Sequence, residues 1–205
     1  MNGLRHELRL FFIALQFFTR VPVPRWVGYT PEWMHQSARH YPAVGLVVGA
    51  CVAAVLALGH LLFTPTVAAW LALAAGVVLT GAFHEDGWAD TCDGLGGAVS
   101  RERALAIMKD SRIGAYGAIG LVLMLGLKAA TLAALPLAWA LPALLLVHAT
   151  SRAAPVLLIR ALVYAGDLEH AKAKPMAQQV SHAGVAVALG WVLAAAGALV
   201  VWRPA

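Results

Sequence analysis

VAAWLALAAGVVLTGAF, residues 67–83, runs straight into HEDGWADTCDGLGG, residues 84–97. The first stretch is uncharged and apolar, as a membrane span is. The second gathers Glu85, Asp86, Asp90 and Asp93, four of the chain's ten acidic residues. Carboxylates crowded in this way repel one another and lose hydration at a bilayer face. A positive partner must compensate, and a divalent cation is the economical one.

Outward from this stretch the chain keeps the same character. It has 205 residues, 61% hydrophobic and 12% charged, and a mean hydropathy of +0.76. A soluble domain carries about a quarter charged residues. The apolar residues come in runs of about twenty, enough to cross a hydrocarbon core of roughly 30 Å. They do not alternate, which excludes a membrane β-barrel. The expected fold class is all-α: a polytopic helical bundle forming one membrane-embedded domain over residues 1–205.

Five spans are predicted, at about Pro42–Phe63, Val67–Phe83, Ile113–Leu135, Leu137–Leu158 and Ala183–Trp202. The short Thr64-Pro65-Thr66 link makes the first two an antiparallel hairpin. Leu4, Leu8, Phe11, Phe12, Leu15 and Phe18 recur at helical spacing and predict an amphipathic helix lying in the interface. No small-residue cleavage site follows it. Instead comes Thr19-Arg20-Val21-Pro22-Val23-Pro24, a rigid extended turn. Residues 25–41 are rich in Trp, Tyr, His and Arg and read as an interfacial belt.

The net charge is +5 and the pI about 9.6. The cations flank the spans, so they report topology and not nucleic-acid binding. Arg5 to Arg39, then Arg101 to Arg112, then Arg160, Lys172 and Lys174 all fall on one side. By the positive-inside rule the N-terminus, the acidic cluster and the polar segment of residues 160–182, with Asp167, Glu169 and His170, face the cytoplasm. Cys51 and Cys92 permit no disulfide framework and are expected to be reduced.

As a helix continuing the second span, the acidic stretch puts Asp86, Asp90 and Asp93 at i, i+4 and i+7, on one face. Their oxygens, with Glu85, are candidate ligands for Mg²⁺, which is held by few carboxylates plus substrate phosphates. Gly87, Gly94, Gly96 and Gly97 let a bulky substrate approach the backbone, and let the segment unwind after Asp93. Lys109 and Arg112 can bind phosphate oxygens, Arg112 bidentately, while Asp110 either joins the metal cluster or orients Arg112. Gly114, Gly117 and Gly120 permit close helix packing. Lys128 and Arg152 lie within spans, where a charge costs about 2.5–3.5 kcal/mol at the bilayer centre. Each should face a polar interior, and an anionic substrate would explain both. His148 is expected to be a hydrogen-bonded interior histidine. These groups suit metal-dependent phosphoryl transfer, with Asp93 or Glu85 taking the proton from an attacking hydroxyl.

Three motifs go further. Phe17-Phe18-Thr19-Arg20-Val21-Pro22, then His84-Glu85-Asp86-Gly87-x-Ala89-Asp90-x2-Asp93-Gly94-Leu95, then Ile107-Met108-Lys109-Asp110-Ser111-Arg112-Ile113-Gly114 closely resemble the cobalamin synthase family. These are the adenosylcobinamide-GDP ribazoletransferases of vitamin B12 assembly. The resemblance runs from the N-terminus to about residue 165. It implies a Mg²⁺-dependent enzyme of the bacterial inner membrane. In its reaction a ribose hydroxyl of α-ribazole, or of its 5′-phosphate, attacks the pyrophosphate of adenosylcobinamide-GDP and GMP leaves. On this reading Asp93, Glu85 and Lys109 are catalytic, and Asp86, Asp90, Asp93, Glu85 and Asp110 bind metal. Arg20, His84, Gly87, Gly94, Gly97, Arg112, Lys128 and Arg152 contact substrate. The partners are these small molecules and the lipid bilayer, with a homo-oligomer as a further option and no nucleic acid. Family members usually continue with a Thr-Gly-Asp type motif and more membrane segment, so a chain ending at Ala205 reads as truncated or as a short variant. Two other readings stand beside this one. A CDP-alcohol phosphotransferase is similar in its Asp-Gly-x2-Ala signature, although Asp90 replaces the Arg that follows. A small cation or solute carrier would use the acidic cluster as its ion site.

Overall fold

The structure, a computed structural model, describes residues 3–98, 100–163 and 179–201. Among these there is no strand. The helices are α1 (Gly3–Phe18), α2 (Pro31–Ser37), α3 (Tyr41–Leu62), α4 (Pro65–Thr80), α5 (Phe83–Gly97), α6 (Arg101–Lys109), α7 (Ala115–Ala134), α8 (Leu137–Ala161) and α9 (His182–Val201). Four stretches are long and apolar enough to cross a membrane, and the bent pair α4–α5 supplies a fifth. The protein is thus an all-α, multi-pass membrane protein. Asp167, Glu169, His170, Lys172 and Lys174 lie outside the described residues.

α3 is the hub. It presents Val44, Val48, Val52 and Leu56 along one stripe, all buried, against Ala68, Ala69 and Ala72 of α4 and Ala140 and Val156 of α8. Lipid offers no hydrophobic drive for helix association, so close van der Waals contact must supply it, and small residues permit that contact. A Cβ on Gly45 would run into the His148 carbonyl oxygen of α8, and one on Gly49 would lie 2.8 Å from the Leu144 carbonyl oxygen. A Cβ on Gly59 would meet Ala68 of α4 at 3.0 Å. The two-residue link at 63–64 makes α3–α4 a helical hairpin, as the sequence predicted.

α1 corrects an expectation. Its first turns are lipid- or solvent-facing, with Leu4 75% exposed, but Leu10, Ile13, Ala14, Leu15 and Phe18 are buried in the bundle. The helix is therefore a packed element and not only an interfacial one. Glu7 ties it to the turn before α3, pairing with Arg39 at 3.2 Å and His40 at 2.9 Å. The aromatic belt is held in a similar way, with the Arg9 guanidinium 4.4 Å from the Trp33 ring centroid.

The second correction concerns the acidic stretch, which does not continue α4. Gly81 (φ 67°) and Ala82 (φ 61°) are both left-handed. The Ala82 N–H donates to the Val77 carbonyl at 2.9 Å and that of Gly81 to Val78 at 3.3 Å, a Schellman closure. Glycine enters this region freely, while alanine does so at a cost of about 1–2 kcal/mol. The Arg20 guanidinium lies over Gly81, where a Cβ would meet its Nε at 2.6 Å, and the Arg20 N–H donates to the Leu79 carbonyl. α5 leaves this break at 92° to α4. The sixteen residues of α4 rise about 24 Å, short of the roughly 30 Å core, so α4 alone does not cross it.

If the Gly45 contact holds the hub together, Gly45→Val forces α3 from α8 and lowers stability by about 1–3 kcal/mol. Gly126→Val is the comparison, because a Cβ there meets nothing within 4 Å. Thermal unfolding in detergent micelles should show a lower midpoint for the first variant and little change for the second.

Candidate functional site

α5 packs along the start of α7 through its glycines. A Cβ on Gly114 or Gly117 would collide with the Asp93 carboxylate, and one on Gly120 would sit 2.5 Å from the Cys92 Sγ. The Tyr116 ring covers Gly96, and the Met108 side chain covers Gly94. These contacts keep α5 helical to Gly97, so the segment does not unwind after Asp93 as the glycines had suggested.

Asp93 is 9% exposed. One carboxylate oxygen accepts the Gly114 N–H at 2.7 Å and the other accepts the Gly117 N–H at 2.8 Å. These are unpaired donors at the N-terminus of α7, where a negative charge also meets the positive end of the helix dipole. Hydrogen bonds to a charged group contribute about 1.5–3 kcal/mol. Asp93, which the sequence suggested as a base or metal ligand, thus joins α5 to α7.

Asp110 is drawn elsewhere too. Its oxygens accept the Arg112 N–H at 3.1 Å and Arg112 Nε at 3.0 and 3.1 Å, with Nη2 completing a fork. Of the two expectations for Asp110, orienting Arg112 is the one this geometry matches. The Arg112 side chain is 88% exposed, and Asp110 holds its pKa above the ordinary value. Just upstream, Ser100 caps α6 by accepting the Arg103 N–H at 3.2 Å. Hydrogen bonds at that cap, from its own backbone first and then from Ser100, push the Glu102 carboxyl pKa down. Lys109 ends α6 beside this link, half-buried.

Asp86 and Asp90 stay one turn apart at the margin of the α5–α7 seam, Asp86 exposed and Asp90 half-buried. Beside them a Cβ on Gly87 would meet nothing within 4 Å, and Gly97 has only the Tyr116 ring at 3.8 Å. The backbone there is open to a ligand. Among the described residues no three His, Cys, Asp or Glu side chains converge closely enough to hold one metal ion. The five candidate carboxylates are thus not gathered at one point in this structure. Two carboxylates still suit Mg²⁺, which takes its remaining ligands from water and substrate phosphates.

At the other end of α5, the His84 ring stacks on Phe18 at 5.7 Å and 15°. Glu85 is half-buried, and its Oε2 is buried without a hydrogen-bond partner. Arg152 is 3% exposed and donates from Nη1 to the His148 carbonyl and ring Nδ1, each at 3.2 Å. Arg152 and His148 thus have the interior setting expected of them, while Lys128 is exposed along α7. Phe18 was not singled out as a site residue. The motif that contains it drew attention to Arg20, and only the fold sets Phe18 between His84 and Arg152. Arg20 sits at the Gly81 break, as described above. A separate cavity of about 480 Å³ is lined by Glu32, Gln36, Arg39, Gln179 and Ser181 among others. None of its lining residues belongs to α5 or to the Lys109–Gly114 link.

The chain was compared with known proteins. Residues 10–204 match the family described as Cobalamin-5-phosphate synthase. The adenosylcobinamide-GDP ribazoletransferase of Leptothrix cholodnii is 67% identical over 201 residues, covering 97% of this chain and 76% of that protein. The protein of the same name from Albidiferax ferrireducens is 50% identical over 198 residues, covering 90% of this chain and 70% of its own length. That from Vibrio cholerae is 45% identical over 185 residues, covering 90% and 71%. No solved structure gives a significant match. With its three motifs set on one bundle and the match running through all of them, the chain belongs to the cobalamin-5-phosphate synthase family.

Proposed function

We propose that this membrane protein acts as an adenosylcobinamide-GDP ribazoletransferase. A ribose hydroxyl of α-ribazole, or of its 5′-phosphate, attacks the pyrophosphate of adenosylcobinamide-GDP. A new O–P bond forms, the bond to GMP breaks, and the nucleotide loop is completed. The observation that carries this reading is the family match over residues 10–204, which includes α5 and the Lys109–Gly114 link. The names of the relatives favour neither a lipid transferase nor a carrier.

The residues divide the work by position. Asp86 and Asp90 would hold Mg²⁺, which when bound neutralises charge on the pyrophosphate and stabilises the departing GMP. Lys109 and Arg112 bind phosphate oxygens, the Arg112 fork being pre-oriented by Asp110. Gly87 leaves room for the corrinoid-linked donor at the backbone. Asp93, with both oxygens engaged by α7, holds the acid helix in register. That leaves Glu85, whose Oε2 lacks a partner, as the carboxylate to accept the proton of the attacking hydroxyl. The excess of cations on one side supports a cytoplasmic setting for these groups and for the N-terminus, in a bacterial inner membrane.

The test is GMP release by purified protein in lipid vesicles. Release should require adenosylcobinamide-GDP, an α-ribazole acceptor and Mg²⁺ together, and should stop on chelation. Release without an acceptor, or none with all three present, would count against the reading. Asp90→Asn and Asp93→Asn should then separate two roles. The first should abolish turnover in a protein that inserts and unfolds as before. The second should lower stability by about 1–3 kcal/mol, because an amide NH₂ would face a backbone N–H. Equal stability for the two variants would remove the distinction. Arg112→Lys should raise KM for the donor with kcat less affected, read from initial rates. An unchanged donor KM would count against a bidentate contact.

A further inference from the structure

The 92° turn from α4 to α5 rests on two consecutive left-handed residues, Gly81 and Ala82. The Schellman bonds that close α4 run from these residues back to Val77 and Val78. None of them reaches into α5. The end of α1 does what they do not. Thr19 terminates that helix, its hydroxyl donating to the Leu15 carbonyl at 2.7 Å and accepting the Val21 N–H at 3.3 Å. The next residue, Arg20, donates its backbone N–H to the Leu79 carbonyl at 2.9 Å, one of the acceptors that a helix leaves open at its C-terminus.

The Arg20 side chain then lies on the bare face of Gly81. A Cβ there would sit 2.6 Å from Nε, 3.2 Å from Nη2 and 3.3 Å from Cζ. A guanidinium is flat, so it fits a glycine surface, and its charge suits the negative end of α4. Phe17 and Phe18 pack edge-on against Phe83, the first residue of α5, with ring centroids 5.2 and 5.8 Å away. α5 is thus pinned twice. Asp93 fixes its far end to Gly114 and Gly117, and the end of α1 fixes its near end. Asp86 and Asp90 lie between the two pins.

We propose that Arg20 is a positioning residue: seated on Gly81, it sets the angle at which α5 leaves α4, and thereby the placing of Asp86 and Asp90. This role replaces the substrate contact that the sequence motif suggested. The inference rests on the reaction proposed above only for what those two carboxylates do. The angle itself belongs to the protein without ligands.

The angle is read without turnover or metal. Nitroxide labels on Leu71→Cys in α4 and Leu95→Cys in α5, positions 41% and 70% exposed, report the distance between the two arms once Cys51 and Cys92 are replaced by alanine. With Arg20 present the distance distribution should be single and narrow. In Arg20→Ala it should shift or broaden, and an unchanged distribution overturns the proposal. The Arg20 side chain is exposed and its backbone bond to Leu79 survives the substitution, so the variant folds and tests the guanidinium alone. Initial rates in vesicles give a second measure. Arg20→Ala should lower kcat by roughly tenfold to a hundredfold, as a misplaced catalytic group does, with donor KM near that of wild type. Arg20→Lys, which keeps the charge but not the plane, should recover part of the loss. A raised donor KM at unchanged kcat would make Arg20 a substrate contact and overturn the proposal. Gly81→Ala, whose Cβ would displace the guanidinium, should cost less in the Arg20→Ala background than in wild type. Independent losses would overturn it too. A wild type that releases no GMP overturns the reaction instead, and the label distances still decide the role of Arg20.

Discussion

One carboxylate holds the working part of this protein together. Asp93 reaches from α5 to the two backbone N–H groups of Gly114 and Gly117 at the head of α7. The interaction satisfies donors that a helix start leaves open, and places a negative charge where the helix dipole favours one. It works only because glycines stand at positions 114 and 117, since any side chain there would occupy the carboxylate's place. The loop bearing Lys109, Asp110 and Arg112 ends at this same point. The link bearing these cations and the acid helix are therefore set against one another in part by this buried contact.

The break at Gly81 and Ala82 supplies the other half of the geometry. α4 is too short to cross the hydrocarbon core, and the chain turns through 92° before α5 begins. A straight helix would have carried all four carboxylates outward along one axis. The bend lays α5 along α7 instead, so its two ends meet different surroundings. At the start of α5 His84 stacks on Phe18, whose ring also meets Arg152, while Asp86 and Asp90 stay at the open margin. The end of α1 holds this arrangement, through Phe18 under His84 and Arg20 over Gly81.

Much of this was legible beforehand, for a physical reason. A span must be about twenty apolar residues long because the hydrocarbon core has a fixed thickness. Four of the five spans accordingly came out of composition and run length to within a few residues, while the second, Val67–Phe83, became the shorter α4 and a bend. Arg152 was readable as an interior charge because its cost within a span demands a partner. The carboxylates were readable as a group but not in their separate roles. Spacing alone puts Asp86, Asp90 and Asp93 on one face, and nothing local says that Asp93 is taken by amides twenty-one and twenty-four residues away. The interior half of α1 was missed for a similar reason. An amphipathic stripe fits a lipid interface and a protein core equally well.

The sequence by itself determined the membrane class, the order and length of the spans, the crowding of carboxylates against phosphate-binding cations, and the kinship that points to nucleotide-leaving chemistry. Each is a property of neighbouring residues or of a motif, and each survives without knowledge of what packs where. Only the tertiary structure decided which carboxylate anchors and which remain at the open margin, and that the helix turns at Gly81. It alone brought Phe18, His84, His148 and Arg152 to one junction. Those outcomes depend on helix ends and side chains brought together from four separate segments, and distance in space is not written in distance along the chain.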